Sequence, residues 1–121
     1  MILGLRSAIY PAPDLAAAKK WYAEVLGLQP YFDQPFYVGF SVGGFELGLV
    51  PDAKPSTLGS QPLWGVDNAA SEFQRLIALG AKALEPVTDV GGDIKVAAVT
   101  DPFGNRFGII ENPQFDPRTV R

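Results

Sequence analysis

Whatever chemistry this chain performs falls to carboxylates, tyrosines, lysines, hydroxyls and amides, because its 121 residues include neither histidine nor cysteine. Those two absences remove disulfides, thiolate nucleophiles, Cys/His zinc centres, serine–histidine triads and any imidazole proton shuttle near neutral pH. Among the groups that remain, Glu46 and Tyr37 are singled out by the hairpin that carries them. Two apolar runs, residues 36–42 and 45–50, are joined by Gly43-Gly44, a two-residue turn signal. Such a turn sets Val42 opposite Phe45, Ser41 opposite Glu46, Phe40 opposite Leu47, Gly39 opposite Gly48, Val38 opposite Leu49 and Tyr37 opposite Val50.

Side chains alternate between sheet faces, so Val38, Phe40, Val42, Phe45, Leu47 and Leu49 make one wholly apolar face. The other face holds Tyr37, Gly39, Ser41, Glu46, Gly48 and Val50. A carboxyl and a phenol placed there can hold a cationic group, stack on a flat ligand or exchange hydrogen bonds; burial that raises the carboxyl's pKa would also make it a base. The two opposed glycines weaken the sheet but admit close approach. Cavity lining and strong sheet curvature both account for them.

The elements that must position this hairpin are legible around it. Residues 3–10 read as a strand stopped by Pro11-Ala-Pro13. Asp14 stands at the N-cap of a helix over 15–26, which Gly27 ends. Leu15, Ala18, Tyr22, Val25 and Leu26 recur at helical spacing and give that helix one face to bury. A further β-like piece covers 28–32, and residues 51–60, rich in Pro, Ser and Gly, form a connector.

The order then repeats. A strand over 61–66 leads to Asp67 as cap, a helix over 68–79 and Gly80 as its stop. Strands over 94–100 and 106–111 follow, flanking Asp101-Pro-Phe-Gly-Asn105. An offset of 53 residues carries Asp14 to Asp67 and Leu26-Gly27 to Leu79-Gly80, which predicts two copies of one strand–helix–strands unit. The whole of 1–121 is therefore expected to form a single domain: module one about 3–50, linker 51–60, module two about 61–112 and a C-terminal tail 113–121.

Composition narrows the partners. A chain that is 47% apolar and 19% charged is globular rather than disordered. A net charge of −3 lacks the basic footprint of nucleic-acid binding. No apolar run approaches the roughly 20 residues of a membrane span, and the opening residues do not form a leader. No nucleic acid, no membrane and a cytoplasmic location are the expectations.

Taken in order, these motifs resemble one family. Ser7-Ala-Ile-Tyr-Pro-Ala-Pro-Asp14, followed by Ala-Lys-Lys-Trp21-Tyr22 and Val-Leu-Gly27, looks like the opening of a vicinal oxygen chelate module. That superfamily includes glyoxalase I, bleomycin-resistance proteins and extradiol dioxygenases. Gly65-Val-Asp67-Asn68, Gly91-Gly92, Asp101-Pro-Phe-Gly104-Asn105 and Ile-Ile-Glu111 carry the resemblance across about residues 3–112. It implies an α+β fold of two tandem βαβββ modules whose curved mixed sheets form a U-shaped cleft, usually in a homodimer.

By the same resemblance, the metal-ligand positions of the family's enzymes fall on Ser7, Glu46, Gln61 and Gly108. Glycine brings no side chain and serine is a poor neutral ligand. One carboxylate and one amide remain, too few for tight transition-metal binding, so neither metal nor cofactor is expected. The cleft side would then be floored by Gly39, Gly48, Gly65 and Gly108. Ser7, Ser41 and Gln61 would orient a polar ligand, Tyr37 would stack on it, and Leu63 would share the face. Arg106 would neutralise an acidic ligand or pair with Glu46. Phe32 and Phe36 flank a turn and would form a wall or lid, while Trp21, Tyr22 and Trp64 belong to the helix-packed core. The function this implies is metal-independent binding of a small organic ligand, as in the bleomycin-resistance branch, by sequestering an aromatic or cationic compound. The alternative is a glyoxalase-I-like lyase or isomerase, or a dioxygenase-type enzyme, with a reduced metal site or Glu46 as base.

Overall fold

Gly43 and Gly44 adopt φ angles of 58° and 90°, the left-handed backbone that a type I′ two-residue hairpin turn demands at both positions. They join β3 (Tyr37–Val42) to β4 (Phe45–Val50) in the register expected from the sequence, from Val42 opposite Phe45 to Val38 opposite Leu49. The structure, a computed structural model, describes Met1, Leu3 and residues 5–119. It divides into two compact units, residues 1–56 and 57–121. The division falls within the stretch 51–62, which forms neither helix nor strand.

In the first unit, β1 (Ser7–Pro11) and α1 (Leu15–Leu26) precede β2 (Phe32–Gln34), β3 and β4. The sheet order is β1-β4-β3-β2, with β1 parallel to β4 and the other pairs antiparallel. In the second unit, β5 (Leu63–Gly65) and α2 (Ala69–Ala78) precede β6 (Lys82–Asp89), β7 (Lys95–Thr100) and β8 (Arg106–Glu111). Its order, β5-β8-β7-β6, repeats the first unit's pattern strand for strand. The fold is α+β, two βαβββ units each with a four-stranded mixed sheet. A short 3₁₀ turn, Pro117–Thr119, follows β8. Among the described residues, no helix is long and apolar enough to cross a membrane.

Local chemistry explains the helix limits. The Asp14 carboxylate accepts the Ala17 N–H at 3.1 Å, and Gly27 ends α1 at φ 66°, its N–H bonded to Ala23. In α2 the cap is Asn68 rather than Asp67: Asn68 Oδ1 reaches the Ser71 N–H at 2.9 Å, and the helix stops at Ala78 with Leu79 as C-cap. The Glu111 carboxylate, arriving from β8, accepts the N–H of Ala69 at 2.8 Å, placing a negative charge where the helix dipole favours one.

Several boundaries differ from the sequence reading. The first strand begins at Ser7 and runs through Pro11; as an edge strand paired only with β4, it tolerates a residue without an N–H. Gly4 of the expected strand and Val120 and Arg121 of the tail lie outside the described residues. Instead of 28–32, the second strand is Phe32–Gln34, because the Leu28 N–H still bonds back to Ala23 at 3.3 Å and Pro30 has none to offer. The strand β6 has no alternation to announce it, since register shifts between Ala83 and Glu85 and between Glu85 and Thr88 break the two-residue period. Instead of 61–66, β5 covers only Leu63–Gly65, leaving Gln61 and Pro62 before it.

The apolar face of the first hairpin packs under α1. Tyr22, Val38, Phe40, Leu47 and Leu49 are fully buried, with Ala18, Trp21 and Val25 around them. Trp21 and Tyr22 meet edge to face at 4.8 Å between ring centroids. The second unit buries Leu76, Ala97, Val99, Phe107 and Ile109. Trp64 stands opposite Ile109 on this helix-packed side and is half-buried.

The β7–β8 connection is held by a buried carboxylate. Asp101, 3% exposed, accepts the N–H groups of Phe103 at 2.9 Å and Asn105 at 2.8 Å, and the Asn105 amide at 3.1 Å. Replacing it strands those donors. We expect Asp101→Ala to lower stability by about 1–3 kcal/mol, and Asp101→Asn, which keeps an acceptor, by less. Urea midpoints of the two variants measure this; equal midpoints for wild type and Asp101→Ala would exclude the role.

Candidate functional site

The candidate site lies on the face of the first sheet that turns away from α1. Residues directly opposite in register share a face, so Ser7, Glu46 and Ser41 form one row across β1, β4 and β3. Ile9, Gly48, Gly39 and Phe32 form the next. Tyr37 begins β3 at its other end, opposite Gln34.

Tyr37 explains the glycines. A Cβ built on Gly48 would clash with the Tyr37 hydroxyl and lie 2.7 Å from its Cζ and 2.9 Å from its Cε1. One on Gly39 would lie 3.3 Å from Tyr37 Cε2, 3.2 Å from Glu46 Oε1 and 3.4 Å from Tyr31 Cε1. The ring therefore lies across the glycine pair, and the space they free is filled by the protein's own tyrosine. At the end of that reach the Tyr37 hydroxyl donates to Glu46 Oε2. Burial pushes the Tyr37 phenol above its ordinary pKa, which keeps it a donor. Glu46 Oε1 and the hydroxyls of Ser7 and Ser41 take no hydrogen bond among the described residues.

These groups line an open depression of about 500 Å³, together with Arg6, Tyr31, Gly44 and Phe45. One cation, one carboxylate, two serine hydroxyls, a phenol and a phenyl ring are the chemistry on offer. Arg6, Tyr31 and Phe45 are absent from the sequence-derived set. Arg6 escapes because alternation along the expected strand 3–10 puts it on the face opposite Ser7, whereas β1 starts only at Ser7 and the Arg6 carbonyl accepts the Glu46 N–H at 2.8 Å. Tyr31 precedes β2 and is tied in by its N–H to Gly39 at 3.0 Å. Phe45 belongs by alternation to the apolar face, but at the hairpin end it is only half-buried. Phe32 packs edge to face against Phe36 at 6.0 Å, both exposed at the end of β2.

The remaining expected residues belong to the second unit. Leu63 stands opposite Gly108, which stands opposite Ala98. A Cβ on Gly108 would lie 2.7 Å from Leu63 Cδ2 and 2.8 Å from the Pro62 carbonyl, so a leucine covers that glycine. Gly65 has open space beside it. Gln61 lies outside β5, two residues ahead of the position that faces Gly108, and is exposed.

Arg106 is bonded to Glu85 at 2.8 Å, a partner on a strand the sequence pattern does not signal. That guanidinium holds the Glu85 carboxyl below its ordinary range. The pairing with Glu46 considered from sequence is replaced by this one. Arg106 Nε is buried and lacks a partner among the described residues.

A metal of the family's kind does not fit these positions. In the first unit Ser7 and Glu46 face each other, a hydroxyl and a carboxyl already bonded to Tyr37. In the second, the facing pair is a leucine and a glycine. One carboxylate with a neutral hydroxyl is a weak donor set for any transition metal.

A family model for the Glyoxalase/Bleomycin resistance protein/Dioxygenase superfamily matches residues 4–109. No curated protein sequence matches the chain. Solved structures of similar fold include a glyoxalase-related enzyme from Fulvimarina pelagi, at 24% identity, covering 93% of this chain and 90% of that one with a TM-score of 0.73. Lactoylglutathione lyase from Agrobacterium tumefaciens is 22% identical, covering 96% of this chain and 100% of that one with a TM-score of 0.74. TioX from Micromonospora sp. ML1 is 19% identical, covering 89% and 98% of the two chains with a TM-score of 0.71. At these identities the likeness is one of fold.

Two outcomes follow from the Tyr37 geometry. Gly48→Ala should cost about 1–3 kcal/mol by forcing the ring off its seat, and far less in a Tyr37→Ala background. Chemical denaturation of the four-member cycle reads this coupling, and additive costs would count against the stacking. Separately, the raised phenol pKa means Tyr37 binds its proton more tightly folded than unfolded. Its contribution to stability is intact below about pH 10 and declines as pH rises through the folded value. The stability difference between wild type and Tyr37→Phe should therefore shrink above about pH 10, as urea titrations across alkaline pH would show.

Proposed function

Since the chain belongs to the Glyoxalase/Bleomycin resistance protein/Dioxygenase superfamily, we propose that it binds a small organic molecule without a metal, sequestering an aromatic or cationic compound as a homodimer. One observation carries the reading. Glu46 lines a depression of small-molecule size beside the hydroxyls of Ser7 and Ser41 and the Tyr31 ring, while of the positions that would complete a metal site Gly108 brings no side chain and the exposed Gln61 lies outside the strand that faces it. A carboxylate held at one oxygen by Tyr37 offers the other to an ammonium, guanidinium or ring N–H. The net charge of −3 favours approach of such a cation over an anion.

A second reading is metal-free proton transfer with Glu46 as base. The hydrogen bond from Tyr37 supports it, because it sets an acid beside the carboxylate. The two readings part at Glu46→Gln. A binder loses affinity with no turnover at stake, whereas a proton-transfer enzyme loses turnover and keeps its substrate.

Native mass spectrometry of gently purified protein is the test. The expected result is a dimer carrying an extra organic mass and no metal, with the carried fraction falling in Glu46→Gln. A stoichiometric metal that survives desalting would overturn the reading and favour a lyase or dioxygenase.

A further inference from the structure

Two opposite charges share the depression without meeting. Arg6 and Glu46 both line it. Among the described residues, the exposed Arg6 guanidinium donates only to the neighbouring Leu5 carbonyl, at 3.1 Å. Glu46 is bonded through Oε2 to Tyr37, and among the described residues neither side chain enters an ion pair. Yet their backbones are hydrogen-bonded to each other, the Glu46 N–H to the Arg6 carbonyl at 2.8 Å. The two residues are thus held side by side through their backbones, Arg6 just ahead of β1 and Glu46 on the neighbouring β4.

A lone carboxylate would make the depression a cation site. With Arg6 beside it the local field is dipolar, and a purely cationic ligand meets repulsion at one end as it meets attraction at the other. A ligand that carries both signs satisfies both ends. Resting on the binding role proposed above, we infer that the site takes a flat bipolar molecule. Its cationic group bonds to Glu46 Oε1, its anionic group to Arg6, and its ring lies against the exposed face of Tyr31. The serine hydroxyls on either side of Glu46 can donate to or accept from whatever polar atoms remain. A volume of about 500 Å³ admits one aromatic ring with two substituents.

Four probes separate the charges: phenylalanine and para-aminomethylbenzoate as zwitterions with short and long charge separation, benzylamine as cation alone, and benzoate as anion alone. Heteronuclear NMR titration of the nitrogen-labelled protein follows the amides of Arg6, Tyr31, Ser41 and Glu46. At least one zwitterion should bind about two- to fivefold tighter than either single-charge probe, the range of an exposed charge contact. That advantage over benzylamine should vanish in Arg6→Gln, and over benzoate in Glu46→Gln; spectra unchanged elsewhere will show that both variants keep the fold. Benzylamine binding as tightly as both zwitterions, unaffected by Arg6→Gln, overturns the bipolar assignment and leaves cation binding at Glu46 standing. If none of the four moves these amides, both the assignment and the binding role beneath it fall.

Discussion

The chain reverses in two residues between β3 and β4, and Gly43 and Gly44 supply the positive φ that this type I′ turn takes at both positions. Everything on the first sheet inherits its side from this turn. A slip of one residue would exchange the faces, sending Phe40, Leu47 and Leu49 outward and Tyr37 and Glu46 under α1. Each large apolar side chain kept inside contributes about 1.5–3 kcal/mol, and a carboxylate driven into that core without a partner would cost more still. The core thus fixes the site from the opposite side of the same strands.

The two units share a scaffold and differ in what they place on the face away from the helix. In the first, the row across β1, β4 and β3 reads Ser7, Glu46, Ser41. In the second, the corresponding row across β5, β8 and β7 reads Leu63, Gly108, Ala98. The glycines are used differently as well: Gly48 and Gly39 accept a tyrosine ring, Gly108 a leucine. The second row continues onto β6 at Glu85, whose carboxylate is taken up by Arg106, whereas in the first unit Glu46 is held only by a tyrosine among the described residues.

How much of this could be read from the chain depends on whether a local rule was in force. The hairpin register, the limits of α1 and the buried Trp21–Tyr22 pair follow from turn type, capping and helical period, and these rules act within a few residues. Where two adjacent residues satisfy one rule equally, as Asp67 and Asn68 do for a cap, only the geometry decides. The β6 strand is invisible to alternation because its bulges interrupt it, and with it the Glu85 partner of Arg106 is lost. Glu46, Ser41 and Tyr37 were placed by alternation. Arg6 and Tyr31 fall inside the strands expected over 3–10 and 28–32 but one residue ahead of β1 and β2, where alternation has no force and long-range backbone bonds bring them in. Gly39 and Gly48 were ambiguous for a related reason: the sequence shows that space exists but not which side chain occupies it.

Among the described residues, the first strand of each unit pairs with its last and with no other. This has a consequence for how the protein is made. Neither sheet can close on its leading strand until the trailing one exists, so each unit must bring together residues some forty positions apart before its edge is satisfied. During synthesis the first unit has its full complement of strands once Val50 has emerged, whereas the second waits for Glu111, which also supplies the carboxylate at the start of α2. The half that carries the polar row can settle first on the ribosome; its sibling must wait until β8 has followed.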